Sequence, residues 1–210
     1  DCQISPHYHH YFSMEIVHLK NNDGNVGIFG SPTLIFDNVE KLQDLVLEKN
    51  GDNTVIKYND GKDSVTVFSY PPKIQFGDDV YTVKETYAYK ERGSYYDYYL
   101  LSNNADNFDN DHGLIYGNKQ NNVLITRLGG ELYGNDGDDI LIAYNYPILY
   151  GGNGNDILYN GYYYRSATQF NFDFDINQIT KVNDWGGEMY GGTGDDKYYL
   201  NTTYRVYIYD

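Results

Sequence analysis

Three short stretches in the C-terminal half carry the residues best suited to hold a ligand. Gly151-Gly152-Asn153-Gly154-Asn155-Asp156-Ile157-Leu158-Tyr159 fits the pattern G-G-x-G-x-D-x-U-x at every defined position, U being a large apolar residue. Gly134-Asn135-Asp136-Gly137-Asp138-Asp139-Ile140-Leu141-Ile142 fits except at Asn135, and Gly191-Gly192-Thr193-Gly194-Asp195-Asp196-Lys197-Tyr198-Tyr199 fits with Tyr198 as the apolar residue. Glycine tolerates positive φ, so G-G-x-G allows a tight turn whose carbonyls point inward. The sixth-position Asp adds a carboxylate. The chemistry on offer is oxygen donation to a hard cation, which takes about 6–8 oxygens at roughly 2.3–2.6 Å. One turn cannot supply that many, but two turns stacked at ~4.8 Å can. Each ion is therefore expected between successive coils. Without it, Asp136, Asp138 and Asp139 would face Asn155 and Asp156, a costly concentration of negative charge.

The turns recur with a period. Each follows a tyrosine (Tyr116, Tyr133, Tyr150, Tyr190), and their starts at Gly117, Gly134, Gly151 and Gly191 are spaced by 17, 17 and 40 residues. Two equal spacings predict one solenoid coil each, and the third gap holds an insertion over 161–187. Its clusters Tyr162-Tyr163-Tyr164 and Phe170 to Phe174 read as strand-like aromatics, either covering the roll or forming a binding surface. The Gly117 turn departs from the pattern, with Asn122 at the sixth position and Lys119 and Gln120 at the third and fourth. It is expected to cap the stack and to hold an ion weakly if at all. Lone turns of the type G-N-D-G are ordinary β-turns; three near-complete matches in phase are not.

With these motifs, residues 101–210 resemble the RTX (repeats-in-toxin) family of calcium-binding repeats. The resemblance implies an all-β fold, a short calcium-binding parallel β-roll, preceded by a β-rich flanking segment over 1–100. The metal ligands it points to are Gly134, Asp136, Asp138, Asp139, Gly151, Asn153, Asn155, Asp156, Gly191, Thr193, Asp195 and Asp196. Two Ca2+ ions are expected, with room for a third beside Asn122. A 17-residue coil needs a second turn, but Thr126–Glu131 and Ala143–Pro147 lack the sixth-position Asp, so the ions belong to one edge only. The resemblance further implies a non-catalytic module of a large secreted bacterial protein, most readily a toxin. Such a chain leaves through type I secretion machinery unfolded and folds in extracellular calcium. An alternative is a module of an adhesin or polysaccharide-modifying enzyme, its aromatic insertion touching glycans or a host cell surface.

Composition excludes other classes. The 210 residues carry a net charge of −15, against nucleic acid and anionic membranes, which call for clustered Lys and Arg. No run approaches the ~20 apolar residues of a membrane helix. Cys2 is the single cysteine and closes no intrachain disulfide. Tyr occurs 26 times and Gly 22 while Ala is scarce, which favours strands over helices. No H-E-x-x-H, G-x-S-x-G, phosphate loop or dinucleotide fingerprint occurs. His7, His9 and His10, with His18 and Cys2 nearby, form the one transition-metal candidate, weighed against an unstructured terminus. An enzyme built on His7, His10, His112 or Asp106 would lack a nucleophile–base arrangement. The chain opens on Asp1, so it is expected to be part of a longer polypeptide.

Asn38 to Gly51 begins with helical spacing (Val39, Leu42, Leu45, Val46), whereas the family resemblance favours a strand over Asp44–Lys49 opening a meander. Asn53–Tyr58 and Asp63–Phe68 flank Asn59-Asp60-Gly61-Lys62, a strong hairpin signal. Lys73–Tyr81 follows as two short strands. Asn22-Asp23-Gly24-Asn25 and Asn59-Asp60-Gly61 look like EF-hand loop starts but lack a Glu at the twelfth position, and are read as turns.

Overall fold

The computed structural model describes residues 16–84, 86–93, 95–102, 107–110, 113–126, 129–143, 145–161, 186–200 and 204–210. The His7, His9, His10 and Cys2 cluster, Asp106, His112 and nearly all of the 161–187 insertion lie outside them. Contacts group the chain into two compact units: Asp1–Lys90 with Tyr99–Asn103, and Glu91–Tyr98 with Asn104–Asp210.

The first unit contains β1 (Ile16–Leu19), β2 (Asn25–Gly30), β3 (Thr33–Phe36), a 3-10 turn at Leu42–Asp44, β4 (Val46–Asn50), β5 (Asn53–Tyr58), β6 (Asp63–Ser69), β7 (Lys73–Phe76), β8 (Asp79–Lys84) and most of β9 (Tyr87–Arg92). The helical spacing after Asn38 yields only the 3-10 turn, because Leu42 and Leu45 are both drawn into the core. The hairpin signal becomes antiparallel β5–β6, turning through left-handed Asn59 and Asp60. The expected meander forms as antiparallel β4–β5–β6, and β7–β8–β9 are antiparallel as well, but parallel pairings lie beside them. β1 pairs with β3 and β3 with β7 in parallel, while β2 pairs in parallel with β6. The offsets are 17 residues (Ile16↔Thr33) and 40 residues (Thr33↔Lys73). β1, β2 and β3 alternate between two sheets and the chain crosses again from β6 to β7, so a coil-like parallel path runs through the first unit, with β4–β5 and β8–β9 as antiparallel additions.

β10 (Tyr95–Leu100) crosses the boundary between the units. The second unit continues with β11 (Asn107–Asn110), β12 (Leu114–Tyr116), β13 (Val123–Thr126), β14 (Glu131–Asp136), β15 (Ile140–Ala143), β16 (Ile148–Asn153), β17 (Ile157–Asn160), β18 (Gly187–Thr193), β19 (Lys197–Leu200) and β20 (Val206–Tyr209). Even-numbered strands β12 to β20 form one parallel sheet and odd-numbered β11 to β19 another. The chain thus winds from sheet to sheet as a parallel β-roll. The Gly117 turn does not cap it: β11 already pairs in parallel with β13, one level earlier.

Strand alternation sends one column of side chains from each sheet inward. Ile115, Leu132, Leu149 and Met189 meet Leu124, Leu141 and Leu158, all at 0% exposure. Each such burial is worth roughly 2–3 kcal/mol. Gly152 and Gly154 lie at φ +115° and +139°, and a Cβ at either would strike a carbonyl of the preceding coil, Asn135 O or Gly137 O. Asn135, the one departure from the pattern in its turn, holds φ +78° in the place of that first glycine. Asn tolerates the left-handed region best among residues with a side chain, and its amide donates to Gly117 O at 2.9 Å.

A core truncation tests this packing. Leu149→Ala should lower stability by about 3 kcal/mol in urea unfolding. Ile208→Ala, in the same inward column but 43% exposed on edge strand β20, should cost under about 1 kcal/mol. Equal losses would contradict the column assignment.

Candidate functional site

Register carries the turn residues into columns. In parallel pairing Asn122, Asp139, Asp156 and Asp196 each lie immediately before an odd-numbered strand and above one another. The main-chain N–H of each donates to the next carboxylate: Asn122 N to Asp139 Oδ1 at 2.7 Å, Asp139 N to Asp156 Oδ1 at 2.8 Å, Asp156 N to Asp196 Oδ1 at 2.8 Å. One oxygen of every carboxylate is therefore consumed in joining coils.

The other oxygen has no partner. Oδ2 of Asp139, of Asp156 and of Asp196 is buried and accepts no hydrogen bond. A Cβ placed on Gly134 would run into Asp139 Oδ2 and Gly151 O, and one on Gly151 into Asp156 Oδ2 and Gly191 O. At Gly191 the neighbours are Asp196 Oδ2 and the Tyr198 hydroxyl. Only glycine at 134, 151 and 191 thus lets the main chain come so close to a carboxylate oxygen of its own coil and, at the first two, to a carbonyl of the next. Asn122 differs, since its Oδ1 accepts from Asn118 N at 2.9 Å.

Burial pushes the Asp139 carboxyl up to about 8, with the Asn122 N–H opposing and the charge of Asp156 adding to the rise. Burial likewise pushes Asp156 up to about 6, with Asp196 among the charges raising it. A buried carboxylate with an unpartnered oxygen is poised to take either a proton or a cation.

The remaining candidate ligands stand in two outer columns where carboxylates do not stack on carboxylates. At the third position Asn153 Nδ2 donates to Asp136 Oδ1 and Thr193 Oγ1 to Asn153 Oδ1, each at 2.8 Å. At the fifth, Asp138 N donates to Asn121 Oδ1 at 3.0 Å, Asn155 N to Asp138 Oδ1 at 2.8 Å and Asp195 N to Asn155 Oδ1 at 2.9 Å. Asp138 therefore faces Asn155 and Asp139 faces Asp156, as expected, while Asp136 lies against Asn153 instead. Among the described residues no three His, Cys, Asp or Glu side chains converge, so any cation would draw on one carboxylate per level plus main-chain oxygen.

A further column was legible in the spacing yet has no place in the repeat pattern. Tyr116, Tyr133, Tyr150, Tyr190 and Tyr209 stack with centroids 4.5–4.8 Å apart and planes within 16°. Tyr133 and Tyr190 donate to Glu131 and Glu188 at 2.5 and 2.6 Å. Those carboxylates hold both phenols well above their ordinary range, with burial the larger cause at Tyr133.

No protein-family model matches the chain, and no curated protein matches it. Among solved structures, the extracellular lipase LipA from Serratia marcescens is similar at 15% identity and a TM-score of 0.26. The match covers 89% of this chain and 31% of the lipase. At that score the likeness says nothing of activity. Among the described residues no helix is long and apolar enough to cross a membrane.

The raised carboxyls set a pH dependence. With divalent cations removed, the folded roll binds more protons than the unfolded chain between the ordinary Asp value near 3.8 and about 8. Its stability should fall as pH rises through that window, most steeply from 4 to 6, where both Asp139 and Asp156 contribute. The β-signature that remains in chelator at pH 5 and 8, read by far-UV circular dichroism, measures this. A stronger signature at pH 8 would refute the buried, unpartnered carboxyls.

Proposed function

We propose that the second unit is a calcium-folded, non-catalytic β-roll of a secreted protein, of the kind the RTX resemblance implies. The observation that carries this reading is the buried Oδ2 of Asp139, Asp156 and Asp196, unpartnered and packed against glycines that leave no room for a side chain. The donor set is all oxygen, carboxylate and carbonyl, which suits a hard divalent ion and not a thiolate- or imidazole-seeking one. Asp139 with Gly151 O would hold one ion and Asp156 with Gly191 O a second, completed by main-chain oxygens and water. The outer columns add negative potential around them. Bound calcium supplies positive charge in the one column where carboxylates stack.

Binding that exists only in the folded state adds directly to folding free energy. In a chain of net charge −15 the second unit would stay unfolded in a calcium-poor cytosol and fold after export into millimolar calcium, in keeping with type I secretion. A toxin is the parent protein that the resemblance favours.

The test is a calcium titration of the full chain followed by far-UV circular dichroism and Tyr fluorescence. The part of the β-signature that the second unit contributes should be lost in EDTA and restored by calcium. Asp156→Asn keeps the acceptor for Asp139 N but replaces the unpartnered anionic oxygen by an amide. Unit charges 4 Å apart interact by roughly 4 kcal/mol at an effective dielectric of 20. After desolvation and retained amide contacts, a net loss of about 2 kcal/mol should raise the calcium midpoint more than tenfold, ~1.4 kcal/mol being a factor of ten. In chelator the same substitution should stabilise the chain, since it removes a buried charge. Asp78→Asn, in an exposed turn of the first unit, is the control. Equal shifts for the two variants would mean general charge neutralisation, and an unchanged β-signature in EDTA would remove the folding switch.

A further inference from the structure

The two units repeat one device with different partners. In the first unit Ser64 N donates to Gly24 O at 3.0 Å, as Ile140 N does to Asn122 O at 2.9 Å and Ile157 N to Asp139 O at 2.8 Å in the roll. Gly24 N donates to Asp63 Oδ1 at 3.0 Å, the counterpart of Asn122 N to Asp139 Oδ1 at 2.7 Å. Asp63 is 3% exposed and begins β6 as Asp139 immediately precedes β15. It is therefore the ladder aspartate of this coil.

Its second oxygen is treated differently. Asp63 Oδ2 accepts from Asn22 N at 2.9 Å and from Asn59 Nδ2 at 2.6 Å, where its counterparts in the roll accept nothing. Asn59 is available because the hairpin excursion of β4 and β5 returns through a turn four residues before Asp63. We propose that Asn22 and Asn59 stand in the place of a cation at Asp63, so that the first unit uses the same coil-to-coil device yet folds without metal, and calcium control is confined to the second unit. This rests on the calcium reading of the roll. The electrostatics agree: hydrogen bonds, that from Asn22 first, hold the Asp63 carboxyl below the usual range, whereas burial raises Asp139 and Asp156.

Hydrogen exchange read by mass spectrometry on the full chain, in EDTA and in calcium, tests this. Amides of residues 26–30 and 64–68 should keep their protection in EDTA, while those of 123–126, 140–143 and 157–160 lose it by at least about tenfold. Loss in both sets would leave the calcium reading standing and overturn the inference. Loss in neither would overturn both, since there would be no cation for the amides to replace. Asn59→Asp, which suits the left-handed turn, sets a second carboxylate against Asp63. In that variant protection of 26–30 and 64–68 should fall in EDTA and return with calcium; protection equal to the native chain's in EDTA would refute the role given to Asn59.

Discussion

Parallel coils in register impose a severe condition: each side chain must tolerate its own counterpart directly above and below it, at about 4.8 Å. Leucine meets leucine and tyrosine meets tyrosine in this roll, and both pairings are favourable. Aspartate meeting aspartate is not. The column Asp139, Asp156, Asp196 is where the condition bites, because it runs through the interior, where water cannot screen it. Half of the difficulty is met within the chain, one oxygen of each carboxylate taking an N–H from the coil before it. The other oxygen of each accepts no hydrogen bond from the chain.

The outer columns show what relief looks like when it is internal. Asp136 lies against Asn153, and Asp138 stands between Asn121 and Asn155, so acid alternates with amide and every contact is a hydrogen bond. These groups are also open to solvent, where a charge costs little to keep. A net charge of −15 is thus not a uniform load on the fold. What bears on stability is the small subset that is stacked, buried and unpaired.

The first unit solves the same problem at Asp63 by bringing two donors to the spare oxygen. The contrast between the units is chemical and local: the same backbone ladder and the same carboxylate, with amide N–H groups present in one and absent in the other. A buried carboxylate is stable once its oxygens are filled, whichever partner fills them. Chain-supplied donors make that coil self-sufficient, while their absence ties the roll to its surroundings. The tyrosine column adds near-parallel stacking of successive rings, worth on the order of 1 kcal/mol per pair.

The turns, the 17-residue period and the β5–β6 hairpin could be read from the chain because each is a local matter: glycine and asparagine at positions that require positive φ, and strand formers between them. The twelve candidate ligands were likewise visible as a set. Their division into an interior column and two outer ones was not, since it depends on which residue of one coil lies over which residue of the next. The parallel pairing of β1, β3 and β7 was hidden for a related reason: its offsets of 17 and 40 match those of the roll, but the turn at Asn22 has no sixth-position Asp, the carboxylate arriving instead from Asp63 after a hairpin excursion. Sequence sets which turns can form. Stacking alone decides which carboxylate oxygens find an N–H and which are sealed away without one, because that is a property of neighbours 17 to 40 residues apart.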